Sequence, residues 1–189
     1  MLGRTHQIIG VTAGLATYLS MAQPTYGPAT FAACIVAAHI AALLPDIDQP
    51  ASTLWRSLPG GRIAGELVNP FLQHRNLTHS LLGCFLVCVG LVALLGHLPP
   101  YWNIDGHMVL IVSLVAYGSH LLADAVTVEG IPLLWPLGKM YGIPPRPFDG
   151  IRIVTGQWFE NWLVFPAANI ALIGLIIGRW HMIQAVIFR

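Results

Sequence analysis

Two aspartates, Asp46 and Asp48, stand one residue apart in LLPDIDQP (43–50), directly after the almost wholly apolar run FAACIVAAHIAALL. A third, Asp124, follows His120 by four residues in SHLLAD, inside another apolar stretch. His74 and His79 lie in HRNLTHS, His6 lies near the start, and Glu160 opens the last apolar segment. Imidazole nitrogen with carboxylate oxygen is the donor set that holds zinc and also manganese or iron. Residues four apart share a helix face, so His120 and Asp124 can chelate one ion. Asp46 and Asp48 point the same way only where the backbone is extended or turned, which the break at Pro45 permits. His74 and His79, five apart, would diverge by about 140° on a helix. They serve one site only if His74 precedes the helix, with Asn76 or Thr78 as its N-cap. Ionisable groups inside apolar segments are functional candidates by default. The donor set His6, Asp46, Asp48, His74, His79, His120 and Asp124 exceeds one tetrahedral site. One or two ions are therefore expected, and a pair would suit the clamping of phosphoester oxygens.

The elements that must position these groups follow from composition. Hydrophobic residues make up 56% of the 189, charged residues 9%, and the mean hydropathy is +0.69. A soluble domain needs a more polar surface. The chain reads as one all-α integral membrane domain over 1–189. Its net charge of +1 offers no basic patch for nucleic acid. A spanning helix needs roughly 20 apolar residues, and about five segments approach this: 6–22, 28–44, 79–97, 107–127 and 160–180. GIPLLWPL, at 130–137, is apolar but broken by two prolines, and reads as a short re-entrant or interfacial segment. Cys34, Cys84 and Cys88 all fall in apolar runs and read as small buried residues. With five spans, the N-terminus and the connections 45–77 and 128–158 share one side. That side carries Arg4, Arg56, Arg62, Arg75, Lys139, Arg146 and Arg152, against Arg179 and Arg189 on the other. The bias places the former side in the cytoplasm. Every candidate ligand then falls at the cytoplasmic end of its helix, so one membrane-surface site can collect them.

The motifs LLPDIDQP, HRNLTHSLL and SHLLADAVTVEGIPLLWPL, in that order, resemble the YdjM-like family, described as LexA-regulated inner-membrane proteins and predicted metal-dependent hydrolases. GQWFE at 156–160 is a weaker echo. The resemblance implies metal residues at Asp46, Asp48, His74, His79, His120 and Asp124, with His6 beside them, and a bacterial inner-membrane location. Gln49, Asn76, Leu77 and Val128 depart from the family pattern without removing a proposed ligand. The order of donors is also similar to that of zinc-dependent phospholipase C, which suggests a phosphoester substrate. Glu160 is similar in position to an acidic residue of that enzyme.

The expected function is thus hydrolysis of a lipid or lipid-linked phosphoester by metal-activated water at the cytoplasmic membrane face. Asp48 and Glu160 are the candidate catalytic carboxylates, and Arg75 the candidate contact to a phosphate oxygen. Two other classes share the same residues. A metal-ion transporter would place its site near the midplane between broken helices. A structural metal-binding membrane protein would hold a closed, saturated ligand set.

Overall fold

In lipid, backbone N–H and C=O groups must be satisfied within their own segment, so long apolar runs become helices. The computed structural model describes residues 1–23, 25–72 and 77–188. It has eight α-helices among them: α1 (Gly3–Met21), α2 (Pro28–Leu43), α3 (Thr53–Arg56), α4 (Gly61–Leu72), α5 (Leu81–Leu95), α6 (Gly106–Ala125), α7 (Phe165–Gly178) and α8 (Trp180–Ile187). The only extended pairings among the described residues are two isolated bridges, Thr127 with Ile153 and Ile131 with Tyr141. The all-helical membrane architecture expected from the sequence is therefore present. Among the described residues, three segments are long and apolar enough to cross a membrane: 28–48, 106–125 and 160–178. The α5 helix is apolar but 15 residues long, and α1 is less apolar than these three.

The core is a three-helix contact among α1, α2 and α6, with α5 and α7 against its sides. Small residues let these helices approach. A Cβ on Gly10 would overlap the Ala42 methyl, and one on Gly14 would lie 2.7 Å from Ala38 Cβ and 3.1 Å from Val112 Cγ1. Backbones that close gain dispersion contacts along their length, the usual source of helix association in lipid. Tyr18, Cys34, Ala38, Val112, Ala116 and Tyr117 fill the seam. The outward faces are apolar as well: Phe85, Val89 and Leu94 on α5, and Ile170, Ile173 and Ile177 on α7, are exposed. That is the surface a bilayer requires and water does not.

Two connections depart from the sequence reading. The N-cap of α5 is Ser80, whose Oγ accepts from Gly83 N at 3.1 Å, rather than Asn76 or Thr78. Asn76 lies outside the described residues, and the Thr78 hydroxyl is engaged by a carboxylate instead. The segment 126–154 is more than a connection, because its backbone is bonded across the ends of two helices. Ile143 N donates to Ala125 O at 2.7 Å, and Leu81 N donates to Leu133 O at 2.9 Å. Ile131 and Tyr141 exchange both bonds at 2.8 Å. Within GIPLLWPL, Ile131 packs inward while Leu134 and Leu137 stay exposed.

Candidate metal centre

The α6 helix is the scaffold of the site. Tyr117, His120 and Asp124 are three and four residues apart, so they line one face. All three are buried. His120 Nδ1 lies 2.7 Å from the carbonyl of Ala42, where the ring must donate. A proton fixed on Nδ1 leaves the Nε2 lone pair facing the site, the tautomer a metal ligand needs. The sequence of α2 makes that carbonyl available. Ala42 lies in the last turn, whose carbonyls have no intrahelical partner. Pro45 has no N–H, and from Leu44 to Asp48 the chain narrows to a 3-10 turn. This turn carries Asp46 and Asp48, and Trp55 Nε1 of α3 braces it by donating to Ile47 O at 2.8 Å.

The third contribution is the turn ahead of α5. Tyr117 Oη donates to Thr78 O, which ties this turn to α6. Thr78 Oγ1 donates to Asp48 Oδ2 at 2.8 Å. His79 is fully buried with its two nitrogens addressed differently. Nδ1 lies 3.6 Å from Asp48 Oδ2, whereas Nε2 lies 3.7 Å from Asp46 Oδ1 and 3.4 Å from Asp124 Oδ2. Burial disfavours the His79 imidazolium, but hydrogen bonds to Asp124, Asp46 and Asp48 outweigh it and hold its pKa up at about 10.

Donor atoms therefore gather around His120 Nε2. His120 Nε2 is 3.4 Å from His79 Nε2, 3.6 Å from Asp124 Oδ2 and 3.8 Å from Asp46 Oδ1. A tetrahedral ion with bonds of about 2.0–2.1 Å to nitrogen and oxygen holds its ligands roughly 3.3–3.4 Å apart. Within the group Asp46, His79 and His120 the separations of 3.4–3.8 Å need only a slight contraction, so these residues could hold a metal ion. His6 approaches from the other side. Its ring stacks on His120 with centroids 3.6 Å apart, and its Nε2 lies 3.1 Å from Asp124 Oδ1. Asp124 thus turns one oxygen to His79 and His120 and the other to His6. His6, His120 and Asp124 form a second group of donors that shares His120 with the first. The Met1 amino group also contacts Asp124 Oδ1.

Glu160 is buried, and two backbone amides hold its carboxylate: Leu2 N donates to Oε1 and Gly156 N to Oε2, each at 2.7 Å. It lies in a short π-helical turn leading into α7. Beside it, Arg4 donates to Asn161 Oδ1 at 2.7 Å and lies 4.6 Å over the Phe165 ring. The start of α1, and with it His6, is thereby tied to the start of α7.

Of the residues singled out in the sequence, His6, Asp46, His79, His120 and Asp124 are brought together. Asp48 sits behind His79 on its Nδ1 side. Glu160 sits on the backbone beside Leu2. His74 and Arg75 lie outside the described residues. Sequence reasoning passed over Ala42, Trp55 and Tyr117, and gave Thr78 only a capping role. Tyr117 carried a signal, since it falls three residues before His120 on the face that already held the pair. Ala42 acts through its backbone and carried none.

The chain matches the family described as YdjM inner membrane protein over residues 1–187. It is 36% identical over 115 residues to the inner membrane protein YdjM of Escherichia coli (strain K12), covering 58% of this chain. That match spans about half the length of the relative, 53%. It is 33% identical over 163 residues to the uncharacterized protein YvsG of Bacillus subtilis (strain 168), covering 85% of this chain and 86% of that protein. No solved structure gives a significant match.

Proposed function

The chain belongs to the YdjM inner membrane protein family, and from that premise we propose that it is a membrane-embedded metal-dependent hydrolase. Its substrate in this reading is a phosphoester of a lipid or lipid-linked molecule, at the cytoplasmic face of the bacterial inner membrane. The observation that carries the reading is the approach of His79 Nε2, His120 Nε2, Asp46 Oδ1 and Asp124 Oδ2 from three separate elements.

A bound divalent ion, zinc first with manganese or iron as alternatives, supplies Lewis-acid polarisation of the phosphoryl group and lowers the pKa of water. The protein's own groups do the rest. His79 and His120 present Nε2, the former backed by Asp48 and the latter by the Ala42 carbonyl. The Asp46 side chain is 14% exposed where those of His79, His120 and Asp124 are at 0–2%, so it stands at the mouth. We assign it the proton of the attacking water, which then passes to the leaving alkoxide. Asp48 is a positioning residue for His79, and Glu160 one for the start of α1. Arg75 is assigned a phosphate oxygen because it neighbours His74 in the chain. Asp124, with an oxygen toward each donor group, supports a second ion through His6. The ligands gather at the end of α2, ahead of α5 and in the last turn of α6, which favours surface chemistry over a midplane transport site.

The test is metal content by elemental mass spectrometry on detergent-purified protein, beside hydrolysis of a panel of phospholipids and lipid phosphates. We expect one or two equivalents of metal in wild type, lost together with hydrolysis in His120→Ala and Asp124→Asn. Metal without hydrolysis of any lipid phosphoester, but with metal uptake into proteoliposomes, would replace this reading with transport.

A further inference from the structure

Between α5 and α6 lies a cavity of about 510 Å³ that the ligand set does not use. Its walls are Leu81 and Cys84 of α5, Leu121 and Ala125 of α6, and Ile131 and Ile143 of the strap that crosses the helix ends. They are almost wholly hydrocarbon. On α6, Gly118, Leu121, Leu122 and Ala125 form a stripe at i, i+3, i+4 and i+7. It lies about 100° around the helix from the stripe that carries His120 and Asp124. On the opposite wall, Leu81 follows His79 by two residues. The groove therefore runs beside the donor cluster along both of its helices.

Its shape is built in. The bonds from Leu81 N to Leu133 O and from Ile143 N to Ala125 O fix the strap against both walls. The space over Gly118 is open, since a Cβ placed there meets nothing within 4 Å. A glycine inside a helix costs about 1 kcal/mol relative to alanine, and here it leaves a hollow beside the site. At the rim, Leu122 is 65% exposed and Ile143 53% exposed, so the groove opens sideways onto the lipid-facing surface.

The chemistry of the walls selects the occupant. Water gains no hydrogen bonds there, and a polar ligand would lose those it had. A lipid chain enters from hydrocarbon to hydrocarbon with no polar group to desolvate, and the volume is that of a ligand pocket. We propose that this groove is the slot for one acyl chain of a phospholipid whose phosphoester lies at the donor cluster. For the head group this inference rests on the proposed hydrolase function. The chain slot stands on the groove alone.

The experiment places the full chain in nanodiscs containing phosphatidylglycerol with a diazirine at the end of one acyl chain, photolyses them and maps the labelled residues by mass spectrometry. A parallel arm carries the diazirine on a free fatty acid. We expect phospholipid labelling concentrated on 118–125 and 131–143, above the background at Phe85 and Ile170. That labelling is lost in Gly118→Phe, which fills the hollow, while bound metal is retained. Ile143→Trp, which narrows the groove from the exposed strap, gives the same loss without altering α6. Labelling spread evenly over the lipid-facing helices and unchanged in both variants overturns the slot, as does labelling by the free acid alone. A protein that binds no metal yet loses groove labelling in these variants keeps the slot and overturns the hydrolase reading. One that binds metal and hydrolyses lipid without groove labelling does the reverse.

Discussion

His120 shows how a side chain can be oriented as a donor by its backbone neighbour. Its Nδ1 proton is committed to the Ala42 carbonyl, so its other nitrogen has one direction and one protonation state left. His79 is held by a carboxylate on its far side in the same sense. These supports differ from the ligands in what their loss should do. Asp48→Asn should weaken metal affinity by roughly 10–100-fold, the usual cost of a lost outer partner, while leaving binding measurable at high metal. Asp124→Asn should leave none. Equal, complete loss in both variants would make Asp48 a direct ligand. The raised pKa of His79, about 10, gives a second prediction. At neutral pH the metal-free site carries that proton, and an ion must displace it. Metal affinity should therefore rise with pH up to about 10, with proton release visible as a buffer-dependent heat in calorimetry. No release at pH 7 would show His79 to be outside the ligand set. The His79 charge pairing stabilises the metal-free fold fully below the free value of about 6.5, and that contribution is lost as pH rises through about 10. At this scale the donors were legible, because His and Asp at helical spacing in an apolar run have few other roles. The Ala42 carbonyl was not, because every residue has one.

Among the elements, the break in α2 and the close approach of α1 carry the site. Gly10 faces Ala42, the residue whose carbonyl orients His120. Gly10→Val would push α1 off α2, with a cost of about 1–3 kcal/mol for overpacking. We expect a lower Tm in detergent and loss of bound metal together, since α1 also carries His6. A normal Tm with metal lost would point to His6 alone as the affected part. Five helices were readable from apolar run length, with ends within about five residues of those expected, whereas α3 and α4 in the 45–77 connection and the separate α8 were not. The cap of α5 was not. Thr78 and Ser80 both offer a hydroxyl ahead of the apolar run, and only the position of the Asp48 carboxylate decides that Thr78 is taken. How the 128–158 connection straps the helix ends was not legible for a related reason. Its backbone bonds pair residues such as Ile131 and Tyr141, which are ten apart and follow no helical or hairpin period.

At the scale of the whole molecule, exposure is inverted relative to a soluble protein. Charge is drawn to the centre of one end, where His6, Asp48, His79, His120, Asp124 and Glu160 are buried, and apolar side chains face outward on α5 and α7. Such an arrangement is tolerable only in a bilayer, and composition alone was enough to foresee it. Sidedness rests on the basic residues. Arg4, one of those counted, is engaged with Asn161 and Phe165, so it serves packing as well as topology. We expect the N-terminus and both long connections to be cytoplasmic. An alkaline phosphatase fusion placed in the 128–158 connection should then be inactive, and activity there would invert the assignment.

The grip of Glu160 on Leu2 sets an order for biosynthesis. His6, Asp46, His79, His120 and Asp124 all leave the ribosome before Glu160 does. A nascent chain can hold every donor and still lack the group that seats its own first turn. The centre must close after translation of the final span, once that helix has moved sideways into the bilayer beside α1. On the proposed metal-binding reading, loading of the site would belong to the finished protein rather than to the growing one.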